Sequence, residues 1–278
     1  MRAGLAVLVC LGLASFASRS RADQPRDYML GRAPTGEFLL VDYFGTGGQL
    51  TLQTRKQIYG PANDATVGAA TLIGYPLGQV NAFARLRLLF LEFGGTAGYR
   101  ATWRNLSFAP GKNGEYCSRC DSAARRDRDP VLGSGPDTDR FGFAEAHAQL
   151  YVPFNDYVVF TSLVAARYEG CKPRSYDWFY SDIHDAGVMG RSESMLFVKH
   201  RSLGGIGPYV QAMILPRGSE HVTEWAFGFN AVTRPGLARH DDLLFLTFLI
   251  RPGDRFYGQH AYYSPIRALL IYRMMLTL

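Results

Sequence analysis

Three groups of residues in this chain have types and spacings that could do chemistry. His147 and Ser162 flank a tight turn, Pro153 to Asp156, so a hairpin folding there sets them roughly opposite one another. A serine beside a histidine is the minimum for nucleophilic acyl transfer, and Glu145, two residues from His147 on the same face, is the acid available to orient it. A second group is basic: Arg85, Arg87, Arg100, Arg104, Arg267 and Arg273 fall on the polar side of alternating runs, joined by Glu145, His147, Gln149, Glu224 and Asn230. If those runs share an interior, a ring of arginines favours small anions. Arginine and glutamate paired inside a narrow tube would instead fill it.

The third group is the cysteines. Cys117-Ser118-Arg119-Cys120 and Cys171 lie in two polar segments, and a bridge from Cys117 or Cys120 to Cys171 would tie those segments together. One thiol is then left over. A zinc set built on these cysteines lacks a clear fourth ligand, although His184 is available, so neither a metal nor a cofactor is expected. Cys120 is followed by Asp121, which removes the haem-attachment signal.

The elements that must position these groups are short and alternating. Residues 1–22 read as a secretory signal peptide: Arg2 opens it, Ala3 to Phe16 is apolar, and Ser18 to Ala22 supplies small residues for cleavage. Its removal takes away Arg2, Arg19 and Arg21, and the formal charge of +6 falls to about +3, so the basic balance says little about nucleic acid. Export also places the remaining cysteines where disulfides persist. Residues 23–36 form an extended lead-in.

From residue 37 to 278 the pattern predicts about 12 strands of roughly 8 to 14 residues, near the ~9 to 11 that a tilted membrane-crossing strand needs. They run Glu37 to Phe44, Gln49 to Tyr59, Ala65 to Tyr75, Gln79 to Phe93, Ala97 to Phe108, Arg140 to Val152, Tyr157 to Tyr168, Glu193 to Arg201, Pro208 to Leu215, His221 to Thr233, Asp242 to Ile250 and Ile266 to Leu278. The fourth and fifth read as a hairpin turning at Gly94-Gly95. Leu50, Leu52 and Ile58 oppose Gln49, Gln53, Arg55 and Gln57; Ala268, Leu270, Tyr272 and Met274 oppose Arg267 and Arg273. Three long polar connections, 110–139, 169–192 and 251–265, follow the fifth, seventh and eleventh strands, all odd, and so fall at one end of the sheet. No apolar run reaches about 18 residues outside the leader, which excludes a helical membrane protein.

In its leader, alternating strands, loop parity and terminal strand the chain resembles the bacterial outer-membrane β-barrel proteins. The resemblance implies an all-β, transmembrane, antiparallel up-and-down barrel in the outer membrane of a Gram-negative cell, with lipid as its partner. The expected role is a narrow, porin-like passive channel for small solutes, with a bias toward anions, or a structural surface protein. Some barrels of this class are lipid acyl hydrolases, the role Ser162, His147 and Glu145 would then serve. Leu243 to Ile250, apolar on both faces but for Thr247, suits instead a strand buried on two sides, so a soluble exported lipid-binding barrel is the rival fold.

Overall fold

The structure is a computed structural model that describes residues 35–45, 47–59, 63–74, 77–102, 139–155, 157–171, 175–177, 182–200, 204–217, 220–233, 241–251 and 266–278. The leader, most of the lead-in, Arg104, Cys117 and Cys120 lie outside them, as do the centres of the first and third long connections. The strands are β1 (Gly36–Phe44), β2 (Gly47–Gln57), β3 (Asp64–Gly74), β4 (Leu77–Leu88), β5 (Leu91–Thr102), β6 (Asp139–Pro153), β7 (Val158–Glu169), β8 (Ser175–Asp177), β9 (Asp182–His184), β10 (Gly187–His200), β11 (Gly204–Arg217), β12 (Glu220–Thr233), β13 (Asp241–Ile250) and β14 (Ile266–Thr277).

Twelve of these close into one antiparallel up-and-down barrel, while β8 and β9 pair only with each other. The seam joins first to last, from Phe38 opposite Thr277 to Phe44 opposite Ile271, which leaves no free sheet edge. Connections leaving β1, β3, β5, β7, β11 and β13 emerge at one end, and that end carries all three long ones, as the loop parity requires. It is termed the loop end below, and the other the turn end.

Alternation decides which residues face in. On β2, Thr51, Gln53 and Arg55 are buried while Leu50 and Leu52 are exposed; on β5, Glu92, Arg100 and Thr102 are buried while Leu91, Phe93 and Tyr99 are exposed. The outer face is thus inverted relative to that of a water-soluble barrel, while the interior mixes buried polar side chains with buried Phe, Leu and Met. Leu52, Val67, Val80, Val164, Leu196, Ile206, Ile214, Trp225, Phe227, Ile250 and Leu270 all stand on the exposed outer face. Among the described residues its only Asp, Glu, Lys or Arg side chains are Glu37, Lys56, Arg140 and Asp242, each next to the end of its strand.

Three expectations need correction. The β4–β5 turn is Leu89-Phe90, not Gly94-Gly95, and its tightness puts Leu89 at φ 56°. Gly94 lies within β5 opposite His147, and a Cβ there would stand 2.4 Å from the imidazole Cε1. The glycine marks a close approach, not a reversal. The strand forecast from Glu193 begins at Gly187, because Gly187 to Ser192 pairs with Glu169 to Val164 and continues the ladder into what read as loop. The double-sided apolarity of β13 has an internal cause: Leu243 joins Phe38, Leu40, Phe197, Val232 and Met275 in an apolar cluster inside the turn end, and Leu249 packs with Tyr209 and Ala226 further up.

Candidate functional site

The lumen is the candidate site, and its polar side chains are largely paired with one another. Arg273 closes the seam by donating through Nε and Nη2 to the two oxygens of Asp42, at 2.6 and 2.9 Å. Arg55 donates to Asp64 at 2.8 Å between β2 and β3, and Arg251 reaches Glu224 at 3.5 Å between β13 and β12. Glu145 lies between Arg191 and Arg167, 3.3 and 3.6 Å away, and Arg267 donates to Gln211 at 3.2 Å. Arg100 takes Gln79 at 3.0 Å and stands 3.5 Å from Glu169. Arg85 and Arg87 lie over the rings of Phe83 and Tyr151, at 4.7 and 5.5 Å from their centroids. The Tyr151 hydroxyl in turn donates to Gln149, and the Asn230 amide donates to Met195 Sδ at 3.5 Å.

The lumen expected from the alternation is therefore assembled as to its residues, with Arg104 outside the described set. The arginines are met by Asp42, Asp64, Glu169 and Glu193, and His147 by Glu92, acids that the sequence reading does not single out as site residues. Asp42 and Glu92 sit among apolar neighbours, and Glu169 was assigned to a loop. The signal that could have found them is the same period-two rule, extended to the strand ends.

Among the described residues, a cavity of about 210 Å³ lies against β1 to β5 and β14, lined by Gln49, Thr51, Gln53, Asn81, Thr96, Asp64, Glu92, Arg55, Arg85 and Arg273, with Phe83 and Leu40 on its wall. Its walls carry both donors and acceptors, and could hydrogen-bond a small polar solute or several waters. Toward the turn end the apolar cluster occupies the interior, with Phe197 wholly buried.

The acyl-transfer constellation does not assemble. Leu150, not His147, pairs with Ser162, and His147 pairs with Ala165. An odd offset also puts the two on opposite faces. Ser162 points outward and shares a hydroxyl hydrogen bond of 3.1 Å with Ser194, while His147 points inward with Nε2 3.7 Å from Glu92. Glu145 is committed to the arginines and does not orient the imidazole. The hairpin loop expected over Pro153 to Asp156 runs from Phe154 to Tyr157, and the ladder resumes with Pro153 opposite Val159, which moves the partner of Ser162 from His147 to Leu150, an odd shift.

Cys171 is buried just beyond β7, with Sγ 3.6 Å from His184 Nδ1. No disulfide is present among the described residues, and both partners proposed for Cys171 lie outside them. No protein-family model matches the chain, and no curated protein matches it.

Proposed function

We propose that the chain is an outer-membrane β-barrel protein of the structural, surface-displaying kind, with its lumen closed in the conformation described. The observation that carries this reading is the inversion of polarity. An outer face with acidic and basic side chains only beside strand ends suits hydrocarbon, where a mid-belt Arg or Lys costs ~2–4 kcal/mol. Closure through the β1–β14 seam leaves no edge strand for lipid to meet. Tyr43, Tyr99 and Tyr168 project outward near the loop end, where an interfacial aromatic belt belongs. The rival soluble lipid-binding barrel needs the reverse arrangement, an apolar interior and a charged exterior, so the inversion speaks against it.

The closed form is preferred over the passive channel because Arg55, Arg100, Arg167, Arg191, Arg251 and Arg273 face acids and an apolar cluster occupies part of the turn end. A narrow anion-biased conduit is the second reading, favoured by the polar cavity alone. The test is refolding of the full chain from urea into lipid vesicles, followed by planar-bilayer recording. Folding that requires lipid or detergent, with no steady conductance, is the expected result. A chain that folds without amphiphile refutes the membrane reading; stable anion-selective openings replace the closed barrel with the conduit.

A further inference from the structure

At the loop end, where the chain leaves β7 and returns to β10, three potential metal ligands converge. Ligand atoms of Glu169, Cys171 and His184 lie within 4.8 Å of one another, and all three residues are buried. The feature that asks for an explanation is Glu169. Its side chain is fully enclosed, and its Oε1 is held by Arg167, with Nε and Nη2 each 2.5 Å away, and by Arg100. Its other oxygen, Oε2, accepts no hydrogen bond and instead faces His184 Nε2 at 3.4 Å. The other imidazole nitrogen, Nδ1, is 3.0 Å from the carbonyl oxygen of Asp185, a group that can only accept, so Nδ1 carries the hydrogen. In the neutral ring, Nε2 then presents a lone pair to a carboxylate lone pair with no water between them.

A cation between them resolves this conflict, and we infer that Glu169, Cys171 and His184 bind a divalent transition-metal ion of the zinc type. Two nitrogen and oxygen ligands at roughly 2.0–2.2 Å from a tetrahedral ion stand about 3.3–3.5 Å apart, which matches the Nε2 to Oε2 separation. Cys171 Sγ stands 3.6 Å from Nδ1, beside the other nitrogen of the ring, and must rotate about its own χ1 to reach the ion. The surroundings follow the rule for such sites: the ligating histidine donates its second N–H to a backbone carbonyl, and the ligating carboxylate is held through its remaining oxygen. A thiolate beside an imidazole and a carboxylate selects a borderline-soft ion over calcium or magnesium.

The ion would clip the β8–β9 excursion to the barrel mouth, because Cys171 opens that connection and His184 ends it. The opposing account is an imidazolium paired with the carboxylate, with no metal. This inference does not depend on the membrane reading, since it concerns the folded barrel in any amphiphile.

The experiment uses the full chain refolded in detergent, stripped with EDTA and titrated with cobalt(II) and then zinc. One equivalent of cobalt giving a thiolate charge-transfer band, bleached by zinc, is expected. Cys171→Ser should abolish the band, and Glu169→Gln and His184→Gln should weaken binding by about 10–100-fold. Zinc should also slow proteolysis within the β8–β9 connection. Because Glu169→Gln touches buried arginines and could impair folding, His184→Gln carries the test if that variant does not fold. No cobalt band overturns the inference. So does a band that survives Cys171→Ser, which would place the metal on other thiols, or a thiol titration of the unreduced, denatured chain showing Cys171 in a disulfide.

Discussion

Replacing Asp42 by Asn is the most direct probe of how the barrel closes. The substitution keeps the shape of the side chain and removes the charge that both Arg273 donors address across the first and last strands. Removing one partner of a buried pair costs about 3–5 kcal/mol, most of it the penalty of leaving the other charge enclosed. The Arg273 side chain is 20% exposed and Asp42 7%, and the polar cavity reaches Arg273, so water can recover part of that loss. About 2–3 kcal/mol is therefore expected, without collapse, because the β1–β14 backbone ladder is untouched. Urea unfolding from lipid vesicles, followed by tryptophan fluorescence and by the heat-dependent gel mobility of closed barrels, measures it. The double variant Asp42→Asn, Arg273→Gln should lose less than the sum of the single variants, with a coupling of about 1–2 kcal/mol. Asp42→Asn within about 0.5 kcal/mol of the parent, or strict additivity, refutes the argument that this pair holds the seam.

Other outcomes follow from the same geometry. Gly94→Ala should cost about 1–3 kcal/mol, since its Cβ would stand 2.4 Å from the His147 ring, whereas Gly95→Ala, with nothing nearer than 3.5 Å, should be close to neutral; His147→Ala should suppress the first effect. Leu52→Arg, at the middle of the outer face of β2, should lower stability in vesicles by ~2–4 kcal/mol, and no difference between vesicles and thin-belted detergent micelles would count against a lipid-facing role. Phe197→Ala with Leu243→Ala, which empties the apolar cluster at the turn end, should raise bilayer conductance above the parent's if that cluster closes the lumen, at a cost of several kcal/mol in stability, about 3–5 for the phenylalanine alone. Ser162→Ala should leave any ester hydrolysis by the refolded chain unchanged, because Ser162 and His147 face opposite sides of the wall.

The barrel was legible in the sequence because its defining signal is local. A period of two read along each run put Leu50, Leu52 and Ala268 on one face and Arg85, Arg100 and Arg273 on the other, and the parity of the long connections then supplied the two ends. Register was not legible to the same degree. Gly94-Gly95 reads as a turn by residue type, but the ring of His147 takes the space one of them leaves, a cross-strand fact that no window along the chain contains. Ser162 and His147 failed for a related reason: a single odd slip at the Pro153 turn exchanges the faces of a whole strand. The network partners were hidden because the sequence shows which residues face inward but not which neighbours they meet.

Those partners bear on what an interior filled with charge is for. Buried ion pairs are weak sources of net stability, since desolvation consumes most of the attraction. Their arrangement here is informative in another way. Asp42 and Arg273 are direct neighbours across one strand pair, Glu145 and Arg167 across another, while Arg55 with Asp64 and Arg251 with Glu224 are diagonal neighbours across two more. A two-residue slip between adjacent strands would keep the outer apolar side chains facing outward and cost little on that side, yet it would separate the directly opposed pairs, and the diagonal pairs in one of the two directions. Periodicity protects the barrel only against odd slips; the ion pairs exclude the even ones. The interior charge is thus best understood as fixing register in a wall whose outer face is too uniform to do so, and this role requires the acids and arginines to be paired.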